Sequence, residues 1–412
     1  MCAPGVFFSG EVVIVTQAGT RKPTPSLRDR RLGVLRRTGL AERHRLPLEK
    51  PPPAFFWVLV IVFSLILLGL VMVLSSSSVT NLHTGESAWG MFFRQLVWVG
   101  LGGAAMWGAY RMPYDMWRNS ALLKFAVLGV VVANVIVILR GELTNGAKAW
   151  LDIGPFRMQP SEFMKIMTVI FCANLLANRH RSVAIRNVVL YPMWVVIGVT
   201  AGLCGLQRDY GSAVIFAGTV LFMMFQAALP LRHIFVTAVG LGGLGALVLR
   251  FARRASERML AFLDLEATKN DSGYQVYQSL LSIANGGWLG TGIGSGTSKW
   301  GYVPLAYSDF IFAVVAEELG IFGTITVIGG FVLLVLLGVQ IALASSDMLG
   351  ALIAGGISAW FGIQAIVNIG GVVGFMPMTG LTLPFISYGG SSLIASMAAI
   401  GLLLNVARYV KR

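Results

Sequence analysis

The chain is poor in charge. Of its 412 residues only 12% are Asp, Glu, Lys or Arg, against roughly 25% in soluble globular domains, while 56% are hydrophobic. A chain of this length with that deficit is not an ordinary water-soluble enzyme. Histidine and cysteine are scarce as well. The four histidines (His44, His83, His180, His233) fall outside every polar cluster described below. Cys2, Cys172 and Cys204 stand apart without metal or redox spacing, two of them inside apolar runs, and read as small buried hydrophobes. No Ser/His/Asp order and no glycine-rich nucleotide loop occurs, so no nucleotide or organic cofactor is expected. A general base would have to be a carboxylate.

The charge that is present amounts to +14 and is unevenly placed. Residues 1–50 hold ten cations (Arg21, Lys22, Arg28, Arg30, Arg31, Arg36, Arg37, Arg43, Arg45, Lys50) against Glu11, Asp29, Glu42 and Glu49. Under the positive-inside rule the stretch 1–54 reads as a cytoplasmic tail, expected to be disordered. It lacks interleaved aromatics and any reading module, so no nucleic-acid partner is expected; anionic headgroups are its natural contact. The apolar stretch around Val12 to Val15 is short and is followed by the charge run, which is not the form of a signal peptide.

A spanning helix needs about 20 mostly apolar residues, and such runs recur near 55–76, 91–110, 120–139, 161–178, 187–206, 211–229, 232–250, 310–341, 350–375 and 387–408. The pattern predicts an all-α integral membrane protein of about ten transmembrane helices, with both ends cytoplasmic and a short C-terminal end at 409–412. Several cations then fall outside, against the usual bias: Arg140, Lys148, Arg157, Arg208, Arg250, Arg253, Arg254, Arg258 and Lys299. An anionic substrate on that side would account for them. The longest connection, 251–308, carries a short amphipathic pattern (Tyr274, Val276, Leu280, Leu281, Ile283) suited to an interface, then glycines at 286, 287, 290, 292, 294 and 296 that predict a tight irregular turn. The run from Phe310 would be about 48 Å long, more than one bilayer needs, so a break is expected near Gly320 and Gly323.

Polar groups in or beside spans are costly and therefore candidates for function. Four clusters qualify: Asn145, Lys148, Trp150, Asp152 with Gln159, Pro160, Ser161, Glu162 and Lys165; Gln207, Arg208 and Asp209; Tyr307, Ser308 and Asp309 with Glu317 and Glu318; and Asn368 with Thr382, Pro384, Ser387, Tyr388, Gly389, Gly390, Ser391 and Ser392. Glu162 and Lys165, three apart on a helix, can neutralise each other, and such a pair suits a structural role as well as a functional one. Asp309 opens a helical run, where it fits an N-cap as readily as a catalytic base. Glu317, two turns on, fits helix packing or a polar cavity better than the same substrate atom. Gly389 and Gly390 fit close backbone approach at a span entrance.

These clusters resemble the SEDS family (shape, elongation, division and sporulation), the bacterial peptidoglycan polymerases that include FtsW, RodA and SpoVE. Several separated motifs occur in family order: NGAKAWLDIG with QPSE, QRDYG, AFLD, GYQVYQSLLSIANGG, DFIFAVVAEELG and GLTLPFISYGGSS. The likeness covers roughly residues 55–408. The last motif is most like the division and sporulation branch, FtsW in particular. The tail lies outside it, as a start codon assigned too early would in part explain.

The resemblance implies a ten-span membrane domain that polymerises lipid II, a disaccharide-pentapeptide on undecaprenyl pyrophosphate, on the outer face of the bacterial cytoplasmic membrane during division. It implies that Asp309 is the catalytic residue and that Glu162 and Lys165 are the family's paired Glu and Lys. A substrate-binding set of Lys148, Trp150, Gln159, Glu162, Lys165, Gln207, Asp209, Arg258, Lys299, Ser387 and Ser391 is expected from the motifs and the outward cations. A carboxylate base and positive charge, or Mg²⁺ or Mn²⁺, at the departing pyrophosphate are what the chemistry needs. Expected partners are a class B penicillin-binding protein and other division proteins. The family usually carries Pro where this chain has Arg208, and commonly Glu and His where it has Leu305 and Tyr307, which alters the surroundings of Asp309 and the acceptor contacts. A flippase for lipid-linked precursors and a non-catalytic scaffold of the division machinery are the rival functions.

Overall fold

The computed structural model describes residues 51–410 apart from 84, 86, 119, 145, 155 and 180–188. The basic tail through residue 50, Asn145, the start of the run from 187 and the end at 411–412 lie outside the described residues. Among the described residues ten long helices follow one another: α1 (Pro53–His83), α2 (Gly90–Arg111), α3 (Ser120–Arg140), α4 (Pro160–Asn178), α5 (Tyr191–Leu206), α6 (Tyr210–Gln226), α7 (Leu231–Phe251), and then α11 (Ile311–Ala344), α12 (Met348–Val372) and α13 (Gly390–Ala407). Among the described residues seven are long and apolar enough to cross a membrane: α1, α3, α4, α7, α11, α12 and α13. The apolar α5 and α6 have only 16 and 17 residues, and α2 carries Arg94 and Gln95 in its first turns.

The all-α expectation needs one amendment. Between α3 and α4 lies a three-stranded antiparallel sheet, β1 (Glu142–Thr144), β2 (Ala147–Ile153) and β3 (Phe156–Met158). Trp150 is paired with Glu142 and Asp152 with Arg157. A stretch too polar for a span and too short for a helix satisfies its backbone by pairing with itself.

The centre of the bundle is α4, α12 and α13, buried along most of their length, whereas few residues of α3 and α7 are buried. Exposed apolar surface of that extent on α7 (Leu231, Phe235, Val236, Val239, Leu244, Leu247) is what lipid covers. In lipid, helices associate by close packing rather than by the hydrophobic effect. The α2–α13 pair shows this: a Cβ on Gly401 would strike the main-chain carbonyl of Met106.

The long connection after α7 is mostly helical: α8 (Arg253–Leu263), α9 (Leu265–Thr268) and α10 (Tyr274–Gly286). Beyond α10 the chain makes the irregular turn expected from its glycines, with positive φ at Gly287, Gly290, Gly292 and Gly294. Two buried carboxylates of α11 hold it. Glu317 accepts from Thr297 N (2.8 Å) and Oγ1 (2.6 Å), Ser298 N (3.1 Å) and Asn285 Nδ2 (3.1 Å). Glu318 accepts from Ser75 Oγ (2.6 Å) and Gly294 N (3.0 Å). Glu317 thus serves packing, as its depth along the helix suggested.

Between these acids and the membrane span the helix breaks at Gly320 (φ 63°, ψ −150°), a conformation open essentially to glycine. The freed Ile321 N–H donates to the Trp288 carbonyl (3.2 Å), so the break and the turn interlock. Residues 321–344 then rise about 36 Å, enough for one bilayer, and 311–319 form a separate short helix that the Asp309 loop leads into.

Replacing Glu317 with Ala strands several buried donors, each worth roughly 1–3 kcal/mol. Thermal unfolding in detergent should show a loss of about 2–4 kcal/mol with new proteolysis between 287 and 300. Glu257→Ala, which loses only the exposed pair with Arg253, should change stability by less than about 0.5 kcal/mol.

Candidate active site

Above the central helices lies a cavity of about 1080 Å³. Its walls come from separate stretches of chain: Arg94, Val97 and Trp98 of α2; Trp150 and Arg157 of the sheet; Gln159 and Glu162 at the start of α4; Arg208 and Asp209 before α6; Arg254 and Arg258 of α8; Tyr307, Ser308 and Asp309; and the segments 378–382 and 388–390. Arg254 and Arg258 are four apart on α8, which puts them on one face.

Asp309 is not a helix cap. Phe310 occupies the N-cap position of α11, and no side chain bonds the first turn. The carboxylate accepts from Ser308 Oγ at 3.1 Å, the one side-chain hydrogen bond it makes among the described residues. Its loop is fixed through the backbone instead. Asn368 Nδ2 donates to the Asp309 carbonyl (3.0 Å), Ser387 Oγ donates to the Ser308 carbonyl (2.6 Å), and Tyr388 N donates to the Tyr307 carbonyl (2.9 Å). The Tyr307 and Tyr388 rings meet edge to face at 5.8 Å.

Arg258 donates to the Thr379 carbonyl (2.8 Å). Its Nη2 and Asp309 Oδ2 lie 3.2 Å and 3.5 Å from the point a Cβ on Gly380 would occupy. Gly380 has φ +76°, a backbone conformation that side chains rarely adopt, so glycine suits this position. Burial pushes the Asp309 carboxyl above its ordinary value; Ser308, Arg258 and Arg254 pull it down, and the negative charge of Asp209 adds to the rise. Burial, then neighbouring Arg254, lowers Arg258, opposed by Asp309 and Asp209. Burial also raises the Tyr307 phenol, with help from Tyr388 and Asp309.

The expected residues divide by position. Trp150, Gln159, Glu162, Asp209, Arg258 and Asp309 line the cavity. Ser387 supports the Asp309 loop. Ser391 accepts from Gln159 N (3.3 Å), and Gln159 Nε2 donates to Asp209 (3.0 Å), which also caps α6 through Ser212 N (3.0 Å). Lys165 lies behind the wall, donating to Glu162 (2.7 Å) and Gln364 (3.1 Å) beneath the Trp360 ring.

Three others are not brought to the cavity. Gln207 is buried against Asn134 (3.0 Å), and its carbonyl accepts from Lys148 N (2.9 Å), so both tie the sheet to α3 and the end of α5. Lys299 is buried beside Glu318 (3.8 Å), under the glycine turn. Counting outward cations could not separate those that face a ligand from those that neutralise a buried acid.

Arg94, Arg254 and Gln275 line the cavity without having been singled out as site residues. For Arg94 the signal was available, since it is a lone charge early in an otherwise apolar run. All three departures from the family pattern, Arg208, Leu305 and Tyr307, also line the cavity. Among the described residues no group of three or more His, Cys, Asp or Glu could hold a metal ion.

Known proteins share this arrangement along nearly its whole length. The FtsW, RodA and SpoVE family of cell cycle proteins matches residues 56–412. The chain is 37% identical to the probable peptidoglycan glycosyltransferase FtsW of Coxiella burnetii, over 85% of this chain and 95% of that one. It is 35% identical to stage V sporulation protein E of Bacillus subtilis, over 85% and 97%. Among solved structures it is similar to a chain described under "Structural coordination of polymerization and crosslinking by a peptidoglycan synthase complex" (TM-score 0.72, 28% identity, 88% of this chain and 98% of that one). It is also similar to the rod shape determining protein RodA of Thermus thermophilus (TM-score 0.63, 28% identity, 86% and 97%). With a family match that begins at the first span and runs to the last residue, this chain belongs to the FtsW, RodA and SpoVE family of cell cycle proteins.

Proposed function

We propose that the chain is a peptidoglycan glycosyltransferase that polymerises lipid II, with Asp309 as general base. The observation that carries this reading is a carboxylate relieved of any capping duty, held by its backbone on the wall of a large cavity, with Arg254 and Arg258 beside it. In the reaction the Asp309 carboxylate accepts the proton of the acceptor sugar hydroxyl as that oxygen bonds the donor's anomeric carbon. The bond from that carbon to the diphosphate oxygen breaks, and the electron pair leaves with the diphosphate. Arg254 and Arg258, joined by Arg94, Arg157 and Arg208 around the same cavity, stabilise the negative charge that develops there. Trp150, Tyr307 and Tyr388 offer aromatic faces to the sugars. Mg²⁺ or Mn²⁺, if used, would be carried largely by the diphosphate oxygens.

In this reading ten helices span the bacterial cytoplasmic membrane, including the short α5 and α6 and the arginine-bearing α2. The ends are cytoplasmic and the cavity opens outside, where the lipid-linked sugar is presented. Septal wall synthesis is the favoured setting, since the relatives include proteins named FtsW and a sporulation protein. A class B penicillin-binding protein is the proposed partner, in keeping with the likeness to a chain of a peptidoglycan synthase complex.

Two outcomes test this. Purified Asp309→Ala, with its partner if the wild type needs one, should make no glycan polymer from lipid II while folding normally. Polymer at the wild-type rate refutes the mechanism, and movement of labelled lipid II across liposomes without polymerisation by the wild type would favour the flippase. The second concerns pH. A base works ionised, so activity should fall as pH drops through a value above the ordinary 3.8. Because Arg258 pulls that value down, Arg258→Gln should move the acid limb of the pH–rate profile upward. An unmoved limb would separate Arg258 from the base.

A further inference from the structure

Behind the Asp309 loop is a second, much smaller cavity of about 10 Å³, lined by Asp309, Phe310, Asn368, Gly371, Val372 and residues 378–380. That is room for a single water. Asn368, on α12, is 4% exposed. Both hydrogens of its amide are committed to carbonyl oxygens, of Asp309 (3.0 Å) and Leu381 (2.5 Å). This fixes the amide's orientation, because the reversed one would set oxygen against oxygen. Asn368 Oδ1 is then a buried acceptor reached by no donor among the described residues, and Asn368 lines a cavity whose one ionisable lining residue, among those described, is Asp309. Asn368 and Asp309 both line this one-molecule space, and a buried acceptor without a protein donor calls for one from water.

We infer that Asn368 holds one water molecule against the Asp309 carboxylate and is thereby a positioning residue for the base. The inference rests on the reading of Asp309 as that base. The water donates one hydrogen to Asn368 Oδ1 and the other to the carboxylate, which favours the ionised form. It acts in the same sense as the Ser308 hydroxyl and against burial. The other groups facing Asp309 are Arg254 and Arg258 of α8, Asp209 before α6, and Tyr307 of its own loop with Tyr388 behind it. Arg258 and Asp209 belong to the large cavity, where substrate rearranges them. The water sits in the smaller cavity, on the side of Asp309 that faces Asn368 and Gly371 of α12.

Gly371→Ala tests this without touching either polar residue. A Cβ at Gly371 would meet Met378 Cα at 3.4 Å and the Pro377 carbonyl at 3.7 Å, ordinary contacts, and because Gly371 lines the small cavity its methyl would take space from about 10 Å³. A wild-type density map at about 2 Å should show a water between Asn368 and Asp309, and the variant's map should lack it. In lipid II polymerisation the variant's acid limb should move up by roughly half a pH unit, about a twofold lower rate at the wild-type half-maximum. Its thermal transition and its rate on the alkaline plateau should be unchanged. A wild-type map without the water overturns the inference, and so does a well-folded Gly371→Ala protein with the wild-type acid limb. Should Asp309 prove not to be the base, polymerisation would survive Asp309→Ala, whereas the density test of the water would stand apart from that result.

Discussion

Glu162 and Lys165 lie 2.7 Å apart with both side chains almost wholly buried, the glutamate in the wall of the polar cavity and the lysine behind it. Two charges in such a place are tolerable only as a hydrogen-bonded pair, and Gln364 and the Trp360 ring complete the shell around the lysine. The same constraint governs the acids of α11, whose carboxylates are surrounded by donors from the glycine turn and from α1. Asp309 is the exception. Its carboxylate has one protein hydrogen-bond donor and no ion pair among the described residues, while its backbone is held from several sides. A group whose position is fixed and whose charge is incompletely satisfied is one prepared to take up a proton.

The route to that group runs through glycine and backbone carbonyls rather than side-chain contacts. Gly320 lets the helix that follows Asp309 end before the membrane span begins, Gly380 takes the positive φ beside Arg258 and the carboxylate, and Gly401 lets α13 close on α2. Lipid supplies no hydrophobic force between helices, so close fit of this kind is what sets the height of one helix against the next, and with it the geometry of the cavity.

Much of this was legible in the residues. The ten apolar runs coincide with ten long helices, because period and length speak directly about helices in an apolar solvent. The break at Gly320 followed from a run longer than a bilayer. The cavity-lining group Trp150, Gln159, Glu162, Asp209, Arg258 and Asp309 was visible as polar residues that a span would otherwise exclude. What could not be read was direction. Lys299 and Gln207 meet the same criterion of cost yet face Glu318 and Asn134, since a sequence shows that a polar group needs a partner but not which one. The sheet from 142 to 158 was missed because its strands are short and their alternation weak, and Arg254 because only the turn of α8 sets it beside Arg258. The choice between cap and catalyst at Asp309 depended on whether the helix begins at residue 310 or 311, a shift within the usual uncertainty of helix ends.

The central claim is that Asp309 takes a proton rather than holding the substrate or the fold. Asp309→Asn keeps the shape and can still accept from Ser308, but is not a base. Binding of lipid II to the purified variant, measured beside single-turnover polymer formation, separates the two roles. The account predicts wild-type binding with polymer formation lowered by at least about a hundredfold. Polymer formed at the wild-type rate, or lost only in proportion to lost binding, would contradict it.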